Sequence, residues 1–495
     1  MKWTEEELTR RVGQRICAGF SGTTVTPELR ELIKRHKVGN ILFFSRNVQS
    51  FDQFQGLCAE VRELILAETG LEPFLMIDEE CGECSRLGHL TGNTPCASAL
   101  GGIGDPENAR IIGQIIGKRL RAVGVNMDLA PVLDCLSQPR NPVMGSRCFS
   151  REPEQVALFG RKFIEGIRES GVLACGKHFP GHGDTAVDSH LALPVINKSL
   201  ESMEQTELVS FREAIRAGID AIMSAHIVFP ALEPDGVPAT ISPRVLKGLL
   251  REKLGFTGLI ISDGMEMKAM LELFPIPEGV FRALKAGVDI ALVCHEPPKA
   301  AASCLRIMEG VRSGELSPES LEEAYLRIKA KKESLPVTGK AGDFLNPQDQ
   351  ETCAALMRRA VTVVHAPDHQ PLPPVTEKTL FCGWPSQRLS LALDGSVLNA
   401  AVYAAKYFNS SLCFNGTGDR PADHPDTAVF FFRRGEHLEE DQKEAARLAD
   451  QGVKVICVAM DTAVVLESAP LNAWHILAWQ EQSLAVEAVV SLLKG

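Results

Sequence analysis

Tryptophan and tyrosine are scarce in this sequence of 495 residues, which contains 22 phenylalanines but only 4 tryptophans and 3 tyrosines. Before Pro336 the only representatives of the two rarer types are Trp3 and Tyr325. Any pocket that the first 335 residues form therefore has almost no indole or phenol ring to line it.

Long hydrophobic runs and basic runs are also missing. No stretch of 18 or more apolar residues lacks charged side chains, so we predict no membrane span and no membrane partner. The first residues, MKWTEEELTRR, contain no apolar core of a secretory signal, so we expect a cytoplasmic location. The chain has 52 Lys and Arg against 63 Asp and Glu, a formal net charge of −11, and we expect no nucleic-acid partner.

The 14 cysteines lack the spacing of a disulfide framework, and many lie inside apolar runs such as KVICVAM and IALVCH. This usage predicts reduced, buried thiols. One CxxC pair, Cys81 and Cys84, leaves redox or zinc chemistry as an alternative, although no second pair follows at zinc-ribbon spacing.

Short apolar runs alternate with amphipathic helical segments through the first two thirds of the chain. The runs are VGNILFF (38–44), FLMID (74–78), VNMDLAPVL (125–133), LACGKHF (173–179), AIMSAHI (221–227), GLIISD (258–263) and DIALVC (289–294). Strand, helix, strand at this spacing indicates parallel pairing with crossover helices. Seven or eight such units in about 330 residues favour a closed (β/α)₈ TIM-type barrel over an open sheet.

Polar residues at or just past the ends of these runs support the barrel, because its carboxyl-terminal strand ends converge on one face. These residues are Asp78, Asp134, Lys177, His178, His226 and Asp263.

A second α/β domain is predicted after the barrel. Residues 336–350 (PVTGKAGDFLNPQDQ) have the composition of a linker. From 351 to 495 the runs TLFCGW, AVFFFR and VKVICVAM predict a smaller α/β sandwich domain with a parallel sheet. We therefore predict a catalytic barrel over 1–335, a linker over 336–350 and the second domain over 351–495.

The densest group of chemically active residues is GKHFPGHGDTAVDSH, residues 176–190. Three interpretations remain open for it: a metal site, histidines that brace a loop, and acid/base chemistry. In the third, Asp188 orients and polarises His190, which donates and later accepts a proton. Such a pair needs a nucleophile.

Asp263 is the best candidate nucleophile. It ends the apolar run GLIIS, and rigid strand ends position catalytic groups well. The alternative is that Asp263 caps the helix predicted in MEMKAMLEL.

Taken together, these motifs resemble the NagZ-like β-N-acetylglucosaminidases of glycoside hydrolase family 3, in a two-domain form. The resemblance spans about residues 10–335 in collinear order. Its most specific part is the loop from KHFPGHG to DSH, and it also includes VGNILFFSRN, IDEECGECSRL, NPVMGSRCFS, MSAHIVFP and GLIISDGMEMKAM.

The resemblance implies a retaining mechanism without cofactor or metal. Asp263 would form the glycosyl-enzyme intermediate, and His190, polarised by Asp188, would be the general acid/base. The residues that would hold the hydroxyls of a nonreducing terminal GlcNAc are Asp78, Arg86, Arg147, Lys177 and His178. The scarcity of Trp and Tyr fits such a small sugar better than a long polysaccharide.

The implied activity is an exo-acting β-N-acetylhexosaminidase for cell-wall (muropeptide) or chitin-derived fragments, in peptidoglycan recycling, acting as a monomer or homodimer. A β-N-acetylglucosaminide phosphorylase, or a family 3 glycosidase with another sugar specificity, is the alternative. A sugar-binding protein without activity and a metal-dependent hydrolase are the competing classes.

Two positions depart from or qualify the family pattern. The family usually reads DQEGG or DEEGG, whereas this chain has Cys81 before Gly82, which adds a side chain beside the predicted pocket. Gly264 follows the predicted nucleophile, where the family's β-glucosidases have Trp.

Overall fold

The computed structural model of the chain describes residues 3–186, 193–335, 344–385, 398–414 and 425–495. The chain forms two compact units, each assembled from three stretches of sequence. The barrel unit comprises Met1–Glu80, Ala109–Asn141 and Arg151–Leu345. The sheet unit comprises Cys81–Asn108, Pro142–Ser150 and Asn346–Gly495.

Eight parallel strands among the described residues close into a barrel in the order in which they follow along the chain. They are β1 (Ile16–Ala18), β2 (Asn40–Phe43), β3 (Phe74–Ile77), β4 (Met127–Asp128), β5 (Leu173–Phe179), β6 (Ala221–Ser224), β7 (Leu259–Gly264) and β8 (Ile290–Val293). A short hairpin, Glu79–Cys81 with Cys84–Ser85, follows β3.

Helices connect these strands and continue into the sheet unit. In chain order, those within the described ranges are α1 (Glu5–Gly13), α2 (Pro27–His36), α3 (Phe51–Thr69), α4 (Gly88–Thr91), α5 (Ala97–Ile103), α6 (Glu107–Val123), α7 (Pro153–Glu169), α8 (Leu200–Gln205), α9 (Glu207–Arg216), α10 (Lys268–Leu271), α11 (Ile276–Ala286), α12 (Pro297–Ser313), α13 (Pro318–Glu333), α14 (Pro347–Ala360), α15 (Ala400–Lys406), α16 (Leu438–Asp450) and α17 (Ser483–Lys494). A π-helix, Arg244–Lys253, takes the place of an α-helix between β6 and β7.

Local signals in the sequence account for the ends of the crossover helices. The Ser50 hydroxyl accepts the N–H of Gln53 and so caps the start of α3. Gly70, with φ of +73°, ends that helix in the left-handed conformation that glycine adopts without steric cost. The Ser317 hydroxyl caps α13 in the same way, and Pro318 occupies the first turn of that helix.

The interior of the barrel is filled by side chains from alternate strand positions. Residues two apart on a strand share a face. The resulting core is Cys17, Leu42, Phe74, Met76, Met127, Leu129, Leu173, Cys175, Ala221, Met223, Leu259, Ile261, Ile290, Leu292 and Cys294, together with Ile328 from α13. The barrel is therefore a packed core and not a pore.

The sheet unit is built on a mixed sheet of six strands within its described residues. They are β9 (Thr362–His365), β10 (Leu380–Cys382), β11 (Cys413–Phe414), β12 (Thr427–Phe432), β13 (Lys454–Ala459) and β14 (Trp474–Leu477). Their order is β9-β14-β13-β12-β10-β11, and β9 runs antiparallel while the other pairs are parallel.

Both faces of this sheet are covered by apolar packing. Val429 and Phe431 of β12 belong to one buried cluster, and Phe430 and Phe432 belong to another. Central strands buried on both sides read as continuous apolar runs, which explains TAVFFF. The arrangement is an α/β sandwich.

The predicted fold class, a TIM-type barrel followed by a smaller α/β sandwich domain, is confirmed. Strand β1, Ile16–Ala18, is the one barrel strand in the described residues that the apolar runs did not predict. Of the predicted linker, residues 336–343 lie outside the described part of the chain, and α14 begins at Pro347, within the rest of it. None of the helices in the described ranges combines the length and apolar character that crossing a bilayer requires.

Candidate active site

Three polar side chains continue the inward-facing rows of the barrel core. Each lies two positions beyond a buried apolar residue of that core: Asp78 follows Met76, Lys177 follows Cys175 and Asp263 follows Ile261. Because alternate strand residues share a face, these three project into the mouth of the barrel at its carboxyl-terminal end.

Lys177, on β5, is the buried cation of this mouth. Its Nζ lies 2.6 Å from Asp78 Oδ1 and 2.6 Å from Glu80 Oε1. The side chains of Lys177 and Glu80 are each 3% exposed, whereas that of Asp78 is 16% exposed. Asp78 is therefore held by a charge-assisted bond and still reaches solvent, as a group that accepts a ligand hydroxyl must.

Asp134, in the chain after β4, organises the loop that follows β5. Its carboxylate accepts the backbone N–H groups of His178 and His182, the latter at 2.7 Å, and lies 2.8 Å from His178 Nδ1. Burial by itself would raise the pKa of the Asp134 carboxyl, but His178 and His182 hold it below its ordinary value. A carboxylate that accepts from Nδ1 fixes the His178 tautomer and leaves Nε2 for a ligand.

Asp128 is a further carboxyl beneath the site. Its Oδ1 accepts the Glu79 N–H at 3.0 Å. Burial raises the pKa of Asp128 well above its ordinary value, and the neighbouring carboxylates of Glu79 and Asp78 add to that rise.

Asp263 lies near the end of β7 and is partly exposed. Its Oδ1 accepts the N–H of Gly264 at 2.7 Å. The next helix, α10, begins at Lys268 with Met267 as its N-cap, so Asp263 does not cap it. The structure thus removes the capping alternative and leaves a strand-end carboxylate held in a defined orientation.

The backbone around Asp263 is fixed from two neighbouring strands. The Ser262 hydroxyl donates to the Asp263 carbonyl and accepts the N–H of Leu292 on β8. His226, just after β6, lies with Nε2 3.0 Å from the Gly264 carbonyl, and because a carbonyl only accepts, Nε2 carries the proton. His226 is thus a buried packing residue that supports the nucleophile candidate.

Gly264 lies against Cys294, the residue after β8. A Cβ built on Gly264 would be 3.3 Å from Cys294 Sγ, which is a tight contact. Burial raises the pKa of the Cys294 thiol well above its usual range, and the charge of Glu266 adds to that rise. The lack of a side chain at Gly264 therefore leaves room for Cys294 beside the end of β7.

The two predicted sugar-binding arginines belong to the sheet unit. Arg86 follows the hairpin and is buried, and Arg147 lies in the turn Gly145–Arg147, also buried. The hydroxyl of Ser98 on α5 donates to the Cys148 carbonyl at 2.8 Å, which fixes the chain next to Arg147.

Cys81, at the start of this unit, is buried with φ of +95°, and Cys84 is also buried. None of the fourteen cysteines, all of which lie in the described ranges, forms a disulfide, as the sequence predicts. A positive φ is unfavourable for any residue with a side chain, which accounts for the glycine that the family usually has at this position. The effect of Cys81 on sugar specificity stays a prediction.

The predicted acid/base pair, Asp188 and His190, lies outside the described residues, since 187–192 are not among them. The roles of both stay a prediction. In the ranges that the structure does describe, no three or more His, Cys, Asp or Glu side chains are grouped so as to hold a metal ion.

Two residues of the site were not among those predicted. Glu80 could have been found by strand parity, because it continues the row of Phe74, Met76 and Asp78. Asp134 was recognised only as a strand-end carboxylate, and no sequence signal pairs it with His178, 44 residues later.

Comparisons with known proteins extend over both units. The model for the N-terminal domain of glycosyl hydrolase family 3 matches residues 8–330. Beta-hexosaminidase A of Pseudoalteromonas piscicida is 31% identical over 370 residues, which are 69% of this chain and 62% of that protein, so the chain spans less than two thirds of its length. A beta-hexosaminidase of Thioalkalivibrio sulfidiphilus is 36% identical over 292 residues, 58% of this chain and 82% of that one. The solved structure of a family 3 beta-N-acetylglucosaminidase from Paenibacillus sp. str. FPU-7 superposes with a TM-score of 0.88 at 30% identity, covering 99% of this chain and 96% of that chain.

Proposed function

The chain belongs to glycoside hydrolase family 3, and on that premise we propose that it is an exo-acting, retaining β-N-acetylhexosaminidase that releases nonreducing terminal GlcNAc. The family predicted from the motifs is confirmed by the match over residues 8–330. The named activities of the relatives, beta-hexosaminidase and beta-N-acetylglucosaminidase, support this sugar class.

The observation that carries the proposal is the placement of Asp263 at the mouth of the barrel, partly exposed and oriented by its own neighbour Gly264. A carboxylate fixed in this way attacks the anomeric carbon, forming an ester bond to the sugar while the glycosidic C–O bond breaks. Water then cleaves the ester and regenerates the carboxylate.

The protons in both steps are assigned to His190 with Asp188 as its orienting partner. His190 protonates the leaving oxygen in the first step and takes a proton from the attacking water in the second. Once it has given up its proton this acid is neutral, so an anionic acceptor such as phosphate is not repelled, which keeps phosphorolysis as the alternative outcome.

Asp78, Lys177 and His178 are assigned to the hydroxyls of the terminal sugar, together with Arg86 and Arg147. The buried Lys177 and the partly exposed Asp78 form a fixed donor and acceptor pair at 2.6 Å. Such charged, directional contacts select a small polyhydroxylated ligand. We assign the substrates to cell-wall or chitin-derived fragments, handled in the cytoplasm by a monomer or homodimer.

The first test is turnover of p-nitrophenyl β-N-acetylglucosaminide with and without inorganic phosphate. We expect free GlcNAc under both conditions. A sugar 1-phosphate that forms only with phosphate would instead assign a phosphorylase, and no release in either arm would contradict the proposed activity.

The second test uses Asp263→Ala, for which we expect kcat/KM to fall by at least about 10³-fold. Asp450→Ala, at the exposed carboxylate that ends α16, is the control and should keep wild-type turnover. A fluorinated GlcNAc should add its mass to the peptide that contains Asp263, and labelling of a different peptide would refute the assignment of Asp263 as the nucleophile.

For the acid/base pair, His190→Ala should slow the chemistry more than Asp188→Asn.

A further inference from the structure

Three consecutive polar side chains are buried shortly after the last strand of the sheet unit. Gln480, Glu481 and Gln482 are only 0%, 5% and 8% exposed. Burying amides and carboxylates is unfavourable unless they are hydrogen-bonded. Their partners therefore indicate what this segment does.

Gln480 binds the chain on the C-terminal side of Arg86. Its Oε1 accepts the backbone N–H of Cys96 at 2.6 Å, and its Nε2 donates to the Thr94 carbonyl at 3.3 Å. One buried amide thus satisfies both a donor and an acceptor of the returning loop, just before α5 begins.

Gln482 and Glu481 bind the chain on the N-terminal side of Arg86. Gln482 Nε2 donates to the Gly82 carbonyl at 3.0 Å, and the Glu481 N–H donates to Glu83 Oε1 at 2.8 Å. Gln480 Nε2 also donates to Gln482 Oε1 at 2.9 Å, so the two amides form one network.

The loop is closed tightly where these two sides meet. Gly82 has φ of +57°, and a Cβ on it would lie 2.4 Å from the Cβ of Cys96. The Asn93 side chain also donates to the Gly82 carbonyl, at 3.1 Å. Arg86 therefore lies in the short segment 84–93, which includes α4 and whose flanking residues are held by Gln482 at Gly82 and by Gln480 at Thr94 and Cys96.

The residue before the network is held in an unfavourable conformation. Trp479 has φ of +70°, which is rare for a bulky side chain. Its indole N–H donates to the Ala360 carbonyl at 2.9 Å, and its ring lies where a side chain on Gly102 would be. Such strain persists only where the surroundings impose it, and here they direct the next three residues towards the Arg86 loop.

We propose that Gln480 and Gln482 are positioning residues that fix Arg86 for binding of the nonreducing N-acetylhexosamine. The inference rests on the proposed function, in which Arg86 contacts that sugar. An arginine that is ordered before binding loses less conformational freedom when the sugar arrives. Because this contact acts on the bound substrate and the transition state alike, its loss raises KM and leaves kcat unchanged.

The test is Gln482→Met, which keeps side-chain volume and removes both hydrogen bonds. We expect KM for p-nitrophenyl β-N-acetylglucosaminide to rise about tenfold with kcat within about twofold. In an Arg86→Met background the same substitution should have no further effect on KM, because the residue it positions is gone. Gln442→Met is the matched control, since Gln442 is a glutamine of the same unit that donates to the Val465 carbonyl and not to the loop.

An unchanged KM in folded Gln482→Met overturns the inference, and so does an equal rise in KM with Arg86 already replaced or in Gln442→Met. Hydrogen–deuterium exchange of residues 84–93 gives a readout that does not need activity, and faster exchange is expected in Gln482→Met. If the wild-type chain has no turnover, the proposed function fails by itself, and unchanged exchange in this loop would then overturn the anchoring separately.

Discussion

Lys177 is the residue on which the charges of the barrel mouth converge. One ammonium is shared by two carboxylates, Asp78 and Glu80, each at 2.6 Å. The carboxylates differ in access, because the Asp78 side chain is 16% exposed and that of Glu80 only 3%. Asp78 is therefore suited to ligand binding and Glu80 to holding Lys177 in place.

This difference predicts that one isosteric substitution changes mainly KM and the other mainly stability. Asp78→Asn should raise KM by about tenfold or more, since it weakens a charged acceptor for a sugar hydroxyl, with a smaller effect on stability. Glu80→Gln should lower the free energy of unfolding by about 1–3 kcal/mol, because it removes a buried charge partner, and should change KM less. Kinetics and urea unfolding of both variants decide this, and a larger KM effect in Glu80→Gln would reverse the assignment.

Position at or just past the end of an apolar run is what made several of these residues predictable. Asp78, Lys177 and Asp263 each follow an alternating row of core residues, so a strand and its end can be read from local sequence. The pairing of His178 with Asp134 could not be read in this way, because His178 lies on β5 whereas Asp134 lies in irregular chain after β4. A contact between a strand and a loop 44 residues earlier depends on the closed barrel and leaves no local pattern.

At the level of elements, the end of β7 is held by its two neighbours in the barrel. Ser262 links it to β8, and His226 links it to the chain after β6 through the Gly264 carbonyl at 3.0 Å. Reaction geometry tolerates displacements of well under 1 Å, so support from both sides matters for the Asp263 carboxylate.

Replacing His226 by Leu or Gln tests this support. His226→Leu supplies an apolar side chain of similar size but leaves the Gly264 carbonyl without its donor, so kcat should fall by about 10- to 100-fold with little change in KM. His226→Gln retains an N–H donor and should lose less. Equal kcat values for the two variants would show that volume, and not the hydrogen bond, is what His226 supplies.

The barrel elements were predictable because their apolar runs and helix caps are local. The loops after β3 and β4 were not, since 81–108 and 142–150 belong to the sheet unit, with residues that follow 200 to 400 positions later. Gln480 and Cys96, for example, are 384 positions apart. The composition of neither stretch predicts that it contacts the other. The role of the polar run QEQ after β14 can be inferred only from its hydrogen-bond partners in the structure.

At the scale of the whole molecule, a buried lysine links the last barrel helix to the opposite end of the barrel from the candidate site. Lys332, near the end of α13, donates from Nζ to Gln14 Oε1 at 2.6 Å and to the Gly39 carbonyl at 2.8 Å. Burial lowers the pKa of Lys332 to about 7. A neutral amine has two N–H groups, which match these two acceptors.

This lysine predicts a contribution to stability that rises with pH above neutrality. Between pH 7 and the ordinary lysine value of 10.5, the unfolded chain binds the proton at Lys332 and the folded chain does not, so the contribution of Lys332 to the free energy of unfolding increases with pH, by at most about 1.4 kcal/mol per unit. Below pH 7 both states are protonated, and the cost of burying the charge is constant.

Lys332→Met removes this group, so the unfolding free energy of the variant should fall increasingly below that of the wild type as the pH rises from 7 to 10. The free energy of unfolding at a single pH does not test the protonation of Lys332, because Met also leaves Gln14 and Gly39 without a donor. Urea unfolding at several pH values gives the slopes, with Lys34→Met at an exposed position of α2 as the control. Parallel slopes for wild type and Lys332→Met would show that Lys332 keeps its proton in the folded barrel.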